Sequence, residues 1–123
     1  MEEGETAKFF IKREPALANE LIKYNMSSFN DKYRRQKSDE PCTTIFSHLA
    51  KDGNRFIHPT EFRTITPREA ARIQSFPDNY IFQGPYIHKF KQIGNAVPPL
   101  LSKNIGESIY ASLSKKEIAE LYQ

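Results

Sequence analysis

The clearest local signal in the sequence is a helix start at Thr66-Pro67-Arg68-Glu69. Thr66 has a side chain that can cap a helix, and Pro67 suits the first helical position because it needs no amide partner there. Glu69 stands where its carboxylate can reach back and close a capping box. Since the residue before a proline avoids the helical region, we predict a helix that begins here and ends near Ser75, before Pro77.

This predicted helix has an apolar and a charged side. The residues predicted to face inward are Ala70, Ile73 and Gln74. Arg68 and Arg72 lie four residues apart and share a face, and Glu69 lies three residues before Arg72. We therefore predict that Glu69 holds Arg72 in place and that both residues, with Thr66, have structural roles.

The rest of the chain predicts an α+β fold that is mostly helical, with one short β-hairpin. Helices are expected over about 15–25, 86–93 and 98–113, the last with a core-facing apolar stripe at Val97, Leu101, Ile105 and Ile109. The β-branched and aromatic residues of 43–49 predict a strand, and 55–57 a returning strand after the turn signal Asp52-Gly53-Asn54. Gly94 and Asn95 tolerate positive φ, so they are expected to form a tight turn.

Composition narrows the class of protein. Hydrophobic residues make up 38% and charged residues 27%, which is typical of a globular chain. The sequence contains neither a signal-peptide pattern nor an apolar run of the roughly 18 residues that span a bilayer, so we expect a cytoplasmic location away from membranes. The single cysteine, Cys42, cannot form an internal disulfide. The three histidines lack the spacing of metal ligands, so we predict no metal site.

The charge distribution is compatible with nucleic-acid binding. The net charge is +3 and the pI is about 9.0, values that many other globular domains share. One basic run lies in a predicted loop that also contains Tyr33, and its candidate phosphate contacts are Lys32, Arg34 and Arg35. Arg63 and Arg68 belong to a second basic cluster, and they can contact phosphate or brace the chain. Taken singly, each cluster favours a solvated face.

Two longer strings resemble a known family. Residues 63–78, RTITPREAARIQSFPD, resemble the ninth motif of bacterial DNA (cytosine-5) methyltransferases, and residues 91–99, KQIGNAVPP, resemble their tenth and last motif. The segments 43–45 and 51–59 resemble the lead-in to the ninth motif. The resemblance covers about 43–110, and it implies that residues 1–42 are the end of the target-recognition region, a helix plus a basic loop, and that 43–123 form the C-terminal segment.

The resemblance also implies what the sequence lacks. The family carries upstream a Rossmann-like domain with an S-adenosylmethionine loop, and a Pro-Cys loop with the nucleophile. Neither feature is present in this sequence. Cys42 does follow Pro41, but this pair stands just before the ninth motif and outside the catalytic context, so we do not identify it with the Pro-Cys loop. We therefore predict no catalytic residue, no Rossmann-like sheet and no activity of the chain alone. In the family, the counterparts of Asn95 and Ala96 line the S-adenosylmethionine pocket.

The resemblance implies two partners: double-stranded DNA, and the N-terminal catalytic domain or subunit of a methyltransferase. The last long helix keeps its apolar stripe, as a helix that packs on a missing domain would, so self-association of the isolated chain is expected. Two other readings stay open. The chain can be a stand-alone nucleic-acid-binding module that uses the basic loop, or a remnant that acts as a protein-interaction partner.

Overall fold

The fold comes from a computed structural model that describes residues 1–21 and 32–121. Within these ranges the chain forms six α-helices. They are α1 (Ala7–Arg13), α2 (Pro15–Leu21), α3 (Leu49–Asp52), α4 (Pro67–Ile73), α5 (Tyr86–Asn95) and α6 (Pro99–Leu121). A short 3-10 helix, Gly53–Arg55, follows α3. None of the described helices is long and apolar enough to cross a membrane.

The predicted α+β class with a β-hairpin is wrong. The described residues contain no strand, and only two isolated bridges join Ile57 to Arg35 and to Thr64. A two-residue hairpin turn of type I′ needs positive φ at both central residues, whereas Gly53 has φ −57° and ψ −20°. The Asp-Gly-Asn segment therefore continues the right-handed path of α3, whose buried Leu49 anchors it in the core.

The predicted helices agree better with the structure. The helix expected from Thr66 to about Ser75 is α4, and the helix expected over 86–93 is α5, which extends to Asn95. The last predicted helix is α6, which starts at Pro99 and continues to Leu121 instead of ending near 113. The first, predicted over 15–25, begins at Pro15, and its residues from 22 onward lie outside the described part of the chain.

The hydrophobic core lies where α3, α4 and α5 meet around the side chain of Phe56. Its most deeply buried large side chains are Phe56, Leu49 and Ile93, and Ala70 and Ala71 bring α4 close to α5. The N-terminal segment joins this core through backbone pairing, since Gly4 donates to the Arg35 carbonyl and Arg35 donates to the Glu5 carbonyl, both at 2.9 Å.

The long helix α6 lies outside this core. It packs closely against no other described helix. The predicted core-facing stripe is therefore not buried within the described residues: Leu101, Ile105 and Ile109 are 50%, 49% and 55% exposed. The four-residue repeat is present in the helix, but its covering layer is absent from the described chain.

Candidate functional site

The capping box at the start of α4 is confirmed. The Thr66 hydroxyl accepts from the Glu69 amide at 3.3 Å, and the Glu69 carboxylate accepts from the Thr66 amide at 2.7 Å. Arg63 adds two donors to the same carboxylate, each at 2.8 Å. These hydrogen bonds from Arg63, and then from Thr66, lower the pKa of Glu69 to about 2.

The carboxylates near this capping box bind the guanidinium of Arg63. Its guanidinium contacts both Glu61 and Glu69, and these carboxylates raise the pKa of Arg63. Arg63 thus makes contacts of the bracing kind that the sequence left open beside phosphate contact, with these donors turned toward the chain itself.

The predicted ion pair between Glu69 and Arg72 is wrong. Arg72 binds Asp78 instead, with nitrogen–oxygen distances of 2.7 and 3.1 Å. The oxygens of Glu69 are already occupied by Arg63 and Thr66, whereas Asp78 follows the turn that ends α4. The hydrogen bond from Arg72 lowers the pKa of Asp78.

The end of α4 holds the connection between α5 and α6. Gln74 is buried, and its side-chain amide donates to the carbonyl of Ala96 at 2.9 Å. Ser75 has a positive φ of 64°, and its hydroxyl accepts from the backbone amide of Leu100 at 3.2 Å. Gln74 thus links the ninth-motif string to the tenth, and Ser75 links it to the first turn of α6. Gln74 was predicted to face inward, and it does, whereas Ile73 is 40% exposed.

Gly94 is required for a reason other than the one predicted from the sequence. It lies inside α5 and is absent from the residues with positive φ, so the expected tight turn at this position is wrong. A Cβ atom at Gly94 would lie 2.7 Å from the carbonyl oxygen of Phe46 and 3.2 Å from that of Ser47. The glycine lets α5 approach this backbone closely.

The two residues that the resemblance assigns to a cofactor stand at the exposed end of this connection. Asn95 is the last residue of α5, and it is exposed. Its side chain makes no hydrogen bond with the other described residues. Ala96 follows in extended conformation, half-buried, with its carbonyl fixed by Gln74. Asn95 therefore presents a free donor and acceptor at a position whose backbone is held in place.

The predicted phosphate contacts in the basic run are separated by the fold. Arg35 is only 5% exposed, and one of its terminal nitrogens donates to the carbonyls of His58, Pro59 and Glu61 at 2.7–3.0 Å. It holds the 58–61 turn in place. Lys32 and Arg34 are half-buried and keep access to solvent.

Arg34 lines a cavity of about 330 Å³ that the sequence did not indicate. Arg55 lines it as well, with its guanidinium 4.8 Å from the centre of the Phe46 ring, and the other walls are Thr43, Thr44 and Phe56. Two cations and two hydroxyl-bearing side chains gather there because 43–46 and the 3-10 helix are neighbours in space. Only the likeness of 43–45 and 51–59 to the family's lead-in connected these segments beforehand.

Arg68 lies on the other side of the capping box. One of its terminal nitrogens donates to the Tyr80 carbonyl at 2.9 Å, and its guanidinium lies 5.9 Å from the centre of the Phe82 ring. A second cavity, of about 280 Å³, opens between Arg68 and Lys89 of α5.

Cys42 is held in a structural position. Its thiol donates to the side-chain carbonyl of Gln36 at 3.3 Å, and burial raises the pKa of Cys42, which disfavours the thiolate. Among the described residues no cluster of histidine, cysteine and carboxylate side chains has the arrangement of a metal site.

Comparison with known proteins identifies the family. The family model of the C-5 cytosine-specific DNA methylases matches residues 3–111. The chain therefore belongs to this family of DNA methyltransferases. No solved structure gives a significant match.

Individual relatives carry the names of type II methyltransferases. The type II methyltransferase M.AgeI of Thalassovita gelatinovora is 45% identical over 100 residues, which cover 81% of this chain and 23% of the relative. A putative type II methyltransferase of Oceanobacillus iheyensis is 49% identical over 70% of this chain and 19% of its own length. The type II methyltransferase M.Eco47II of Escherichia coli is 48% identical over 67% and 20%. The chain thus spans about a fifth of the relatives it matches.

Proposed function

We propose that this chain works as the C-terminal part of a DNA (cytosine-5) methyltransferase, where it positions DNA and completes the S-adenosylmethionine pocket. Alone it transfers no methyl group. In this proposal residues 1–42 belong to the end of the target-recognition region and residues 43–123 form the C-terminal segment. The setting is the cytoplasm, where bacterial DNA is the substrate.

The exposed apolar stripe of α6 carries this proposal. Leu101, Ile105 and Ile109 repeat every four residues on one side of a helix of 23 residues, which is about 35 Å long. Burying such a side chain stabilises a protein by about 1.5–3 kcal/mol, so a helix with this stripe gains by packing on another surface. We infer that this surface is the N-terminal catalytic domain or subunit, and that copies of the isolated chain associate through the same stripe.

The cofactor assignment rests on the connection between α5 and α6. Asn95 fits a polar ligand, because its exposed amide has no hydrogen-bond partner among the described residues. In the proposal Asn95 and Ala96 close one side of a pocket whose other walls come from the catalytic part. When bound there, S-adenosylmethionine supplies the methyl group. The role of this chain is to orient the cofactor through Asn95, while Gln74 fixes the Ala96 carbonyl.

The DNA assignment centres on Lys32 and Arg34. Arg55 joins them, since it lines the same cavity as Arg34, and Thr43 and Thr44 add hydroxyl donors suited to phosphate oxygens. Arg35 and Arg63 support DNA binding indirectly, by bracing the backbone that presents these groups. Arg68 is the remaining candidate for a direct contact.

The experiment is methyl transfer from labelled S-adenosylmethionine to duplex DNA that contains cytosine. We expect no activity from the chain alone and none from the N-terminal part of a matching methyltransferase alone, but activity after mixing. Transfer by the chain alone would overturn the proposal that it lacks the catalytic machinery.

A pair of variants tests whether α6 forms the junction. We expect Ile105→Glu to reduce the activity of the mixture at least tenfold, because it places a charge in the apolar stripe. Ala111→Glu introduces the same charge at an exposed position of the same helix, about 120° around the helix axis from the stripe, and we expect little change. Equal activity of the two mixtures would show that the stripe is not the junction.

A further inference from the structure

We propose that the cavity between the start of α4 and the first half of α5 binds a phosphate of the DNA backbone, with the adjoining deoxyribose against its apolar wall. The inference rests on the proposed function, since it takes DNA as the substrate. The cavity is separate from the Arg34 cavity, with which it shares no lining residue.

The size and lining of the cavity suit one sugar-phosphate unit. Its volume is about 280 Å³, and its apolar walls are Pro67, Ile81, Phe82 and Tyr86. Ile81 and Tyr86 are 72% and 59% exposed, so the cavity is open to a large ligand from outside. Apolar side chains of this kind pack against the face of a deoxyribose ring, and the Tyr86 hydroxyl adds a donor.

The charge of the cavity selects an anion. Arg68 and Lys89 line it, and none of the described residues adds a carboxylate to the lining. Lys89 forms no ion pair within the described residues. Asp78 contributes a weak attraction to Arg68, but its carboxylate is held by Arg72 at 2.7 Å. Two positive charges therefore meet here with no ion pair to either of them from the described residues, which is the electrostatic setting of a phosphate contact.

Arg68 contributes an unused donor. One terminal nitrogen donates to the Tyr80 carbonyl, whereas the other is buried and has no hydrogen-bond partner among the described residues. A buried donor without a partner is unfavourable, and an anion drawn into the cavity would relieve this after a small side-chain shift. An acidic protein segment offers similar chemistry, but regular DNA presents a phosphate beside each apolar sugar face, as this lining requires.

The test compares two lysines of α5 in DNA binding by the 123-residue chain. Lys89 lines the cavity, whereas Lys91 is exposed on another side of the same helix. Fluorescence anisotropy at several salt concentrations gives the slope of log K against log salt. We expect Lys89→Ala to reduce this slope by about 0.9, as for the loss of one phosphate contact, and equally on unrelated duplexes. Lys91→Ala is expected to leave the slope unchanged.

An NMR titration of the same chain distinguishes the sources of the anion. We expect duplex DNA to shift the amide signals of Ile81 and Tyr86, and inorganic phosphate to shift them only at millimolar concentration. Equal slopes for the two lysine variants would overturn the proposal, as would a stronger response of these signals to polyglutamate than to DNA. In an active mixture of this chain with the N-terminal part of a methyltransferase, Lys89→Ala should raise KM for DNA and leave kcat unchanged. An active mixture whose KM does not change would therefore overturn the phosphate site alone, whereas an inactive mixture would overturn the proposed function.

Discussion

The region around α3, α4 and α5 and the helix α6 use similar apolar residues in opposite ways. Ile93 of α5 is fully buried, and Ile105 of α6 is 49% exposed, although both lie within regular helices. The first region closes its core with local partners such as Phe56 and Leu49. The second finds no partner helix among the described residues.

The packed region stabilises the chain, whereas the apolar stripe of α6 has no described surface that covers it. The packed region can fold on contacts that the chain supplies itself. A stripe such as that of α6 gains stability only when another surface removes it from water. Substitutions in the packed region should therefore weaken the isolated chain, whereas substitutions in the stripe should matter mainly when another surface covers it.

The largest effect is expected for the matched pair Ile93→Ala and Ile105→Ala. Ile93→Ala leaves a cavity in the core, and we expect a loss of about 2–5 kcal/mol in the free energy of unfolding. Ile105→Ala should change it by no more than about 0.5 kcal/mol in the isolated chain at a dilution where the chain is a monomer. Urea denaturation followed by circular dichroism measures both. A large loss for Ile105→Ala would mean that α6 is packed within this chain after all.

The two helical glycines offer a second matched pair, with opposite signs. At Gly94 an added Cβ meets the Phe46 carbonyl oxygen at 2.7 Å, and overpacking of this kind typically lowers stability by about 1–3 kcal/mol. At Gly106 nothing lies within 4 Å of the added atom, so alanine should raise stability by up to about 1 kcal/mol through its helix propensity. Thermal unfolding of Gly94→Ala and Gly106→Ala gives the two signs, and equal signs would contradict the comparison.

Sequence reasoning succeeded where structure depends on near neighbours. The capping box at Thr66 and Glu69 needs only residues three positions apart, and it was predicted correctly. The positions of α4, α5 and α6 followed from proline and periodicity. The motif strings gave the family, which the comparisons confirm.

Prediction from the sequence failed where tertiary contacts override the local signal. The Asp-Gly-Asn signal favours a hairpin locally, but burial of Leu49 keeps the segment helical. Arg35 looked like a surface cation, yet its carbonyl partners lie 23–26 residues further along the chain. Arg72 pairs with Asp78 because Arg63 already binds the Glu69 carboxylate. Periodicity in α6 identified an apolar side and could not say which surface covers it.

Two glutamine hydrogen bonds extend the comparison to polar groups. Gln74 is buried and donates to the Ala96 carbonyl at 2.9 Å, while the more exposed Gln92 donates to the Gln83 carbonyl at 2.7 Å. We expect Gln74→Met to lower stability by about 1–2 kcal/mol, because the carbonyl of Ala96 loses its partner. Gln92→Met should change stability by less than about 0.5 kcal/mol. In the active mixture of this chain with the N-terminal part of a methyltransferase, Gln74→Met should also raise KM for S-adenosylmethionine if Ala96 borders that cofactor.

The smallest effect is expected in the acid limb of the stability curve. The pKa of Glu69 falls to about 2 in the folded chain, from an ordinary value of 4.5, mainly through Arg63. A lowered folded pKa adds stability that is complete above pH 4.5 and is lost as the pH falls from there toward 2. Glu69→Gln should therefore flatten the decline of Tm between pH 4.5 and 2. Glu107→Gln removes the exposed Lys103–Glu107 pair of α6, at 3.8 Å, and should leave the decline unchanged. A flattening by Glu107→Gln as strong as that by Glu69→Gln would mean that the exposed helix contributes to folding electrostatically, even though its apolar stripe is uncovered.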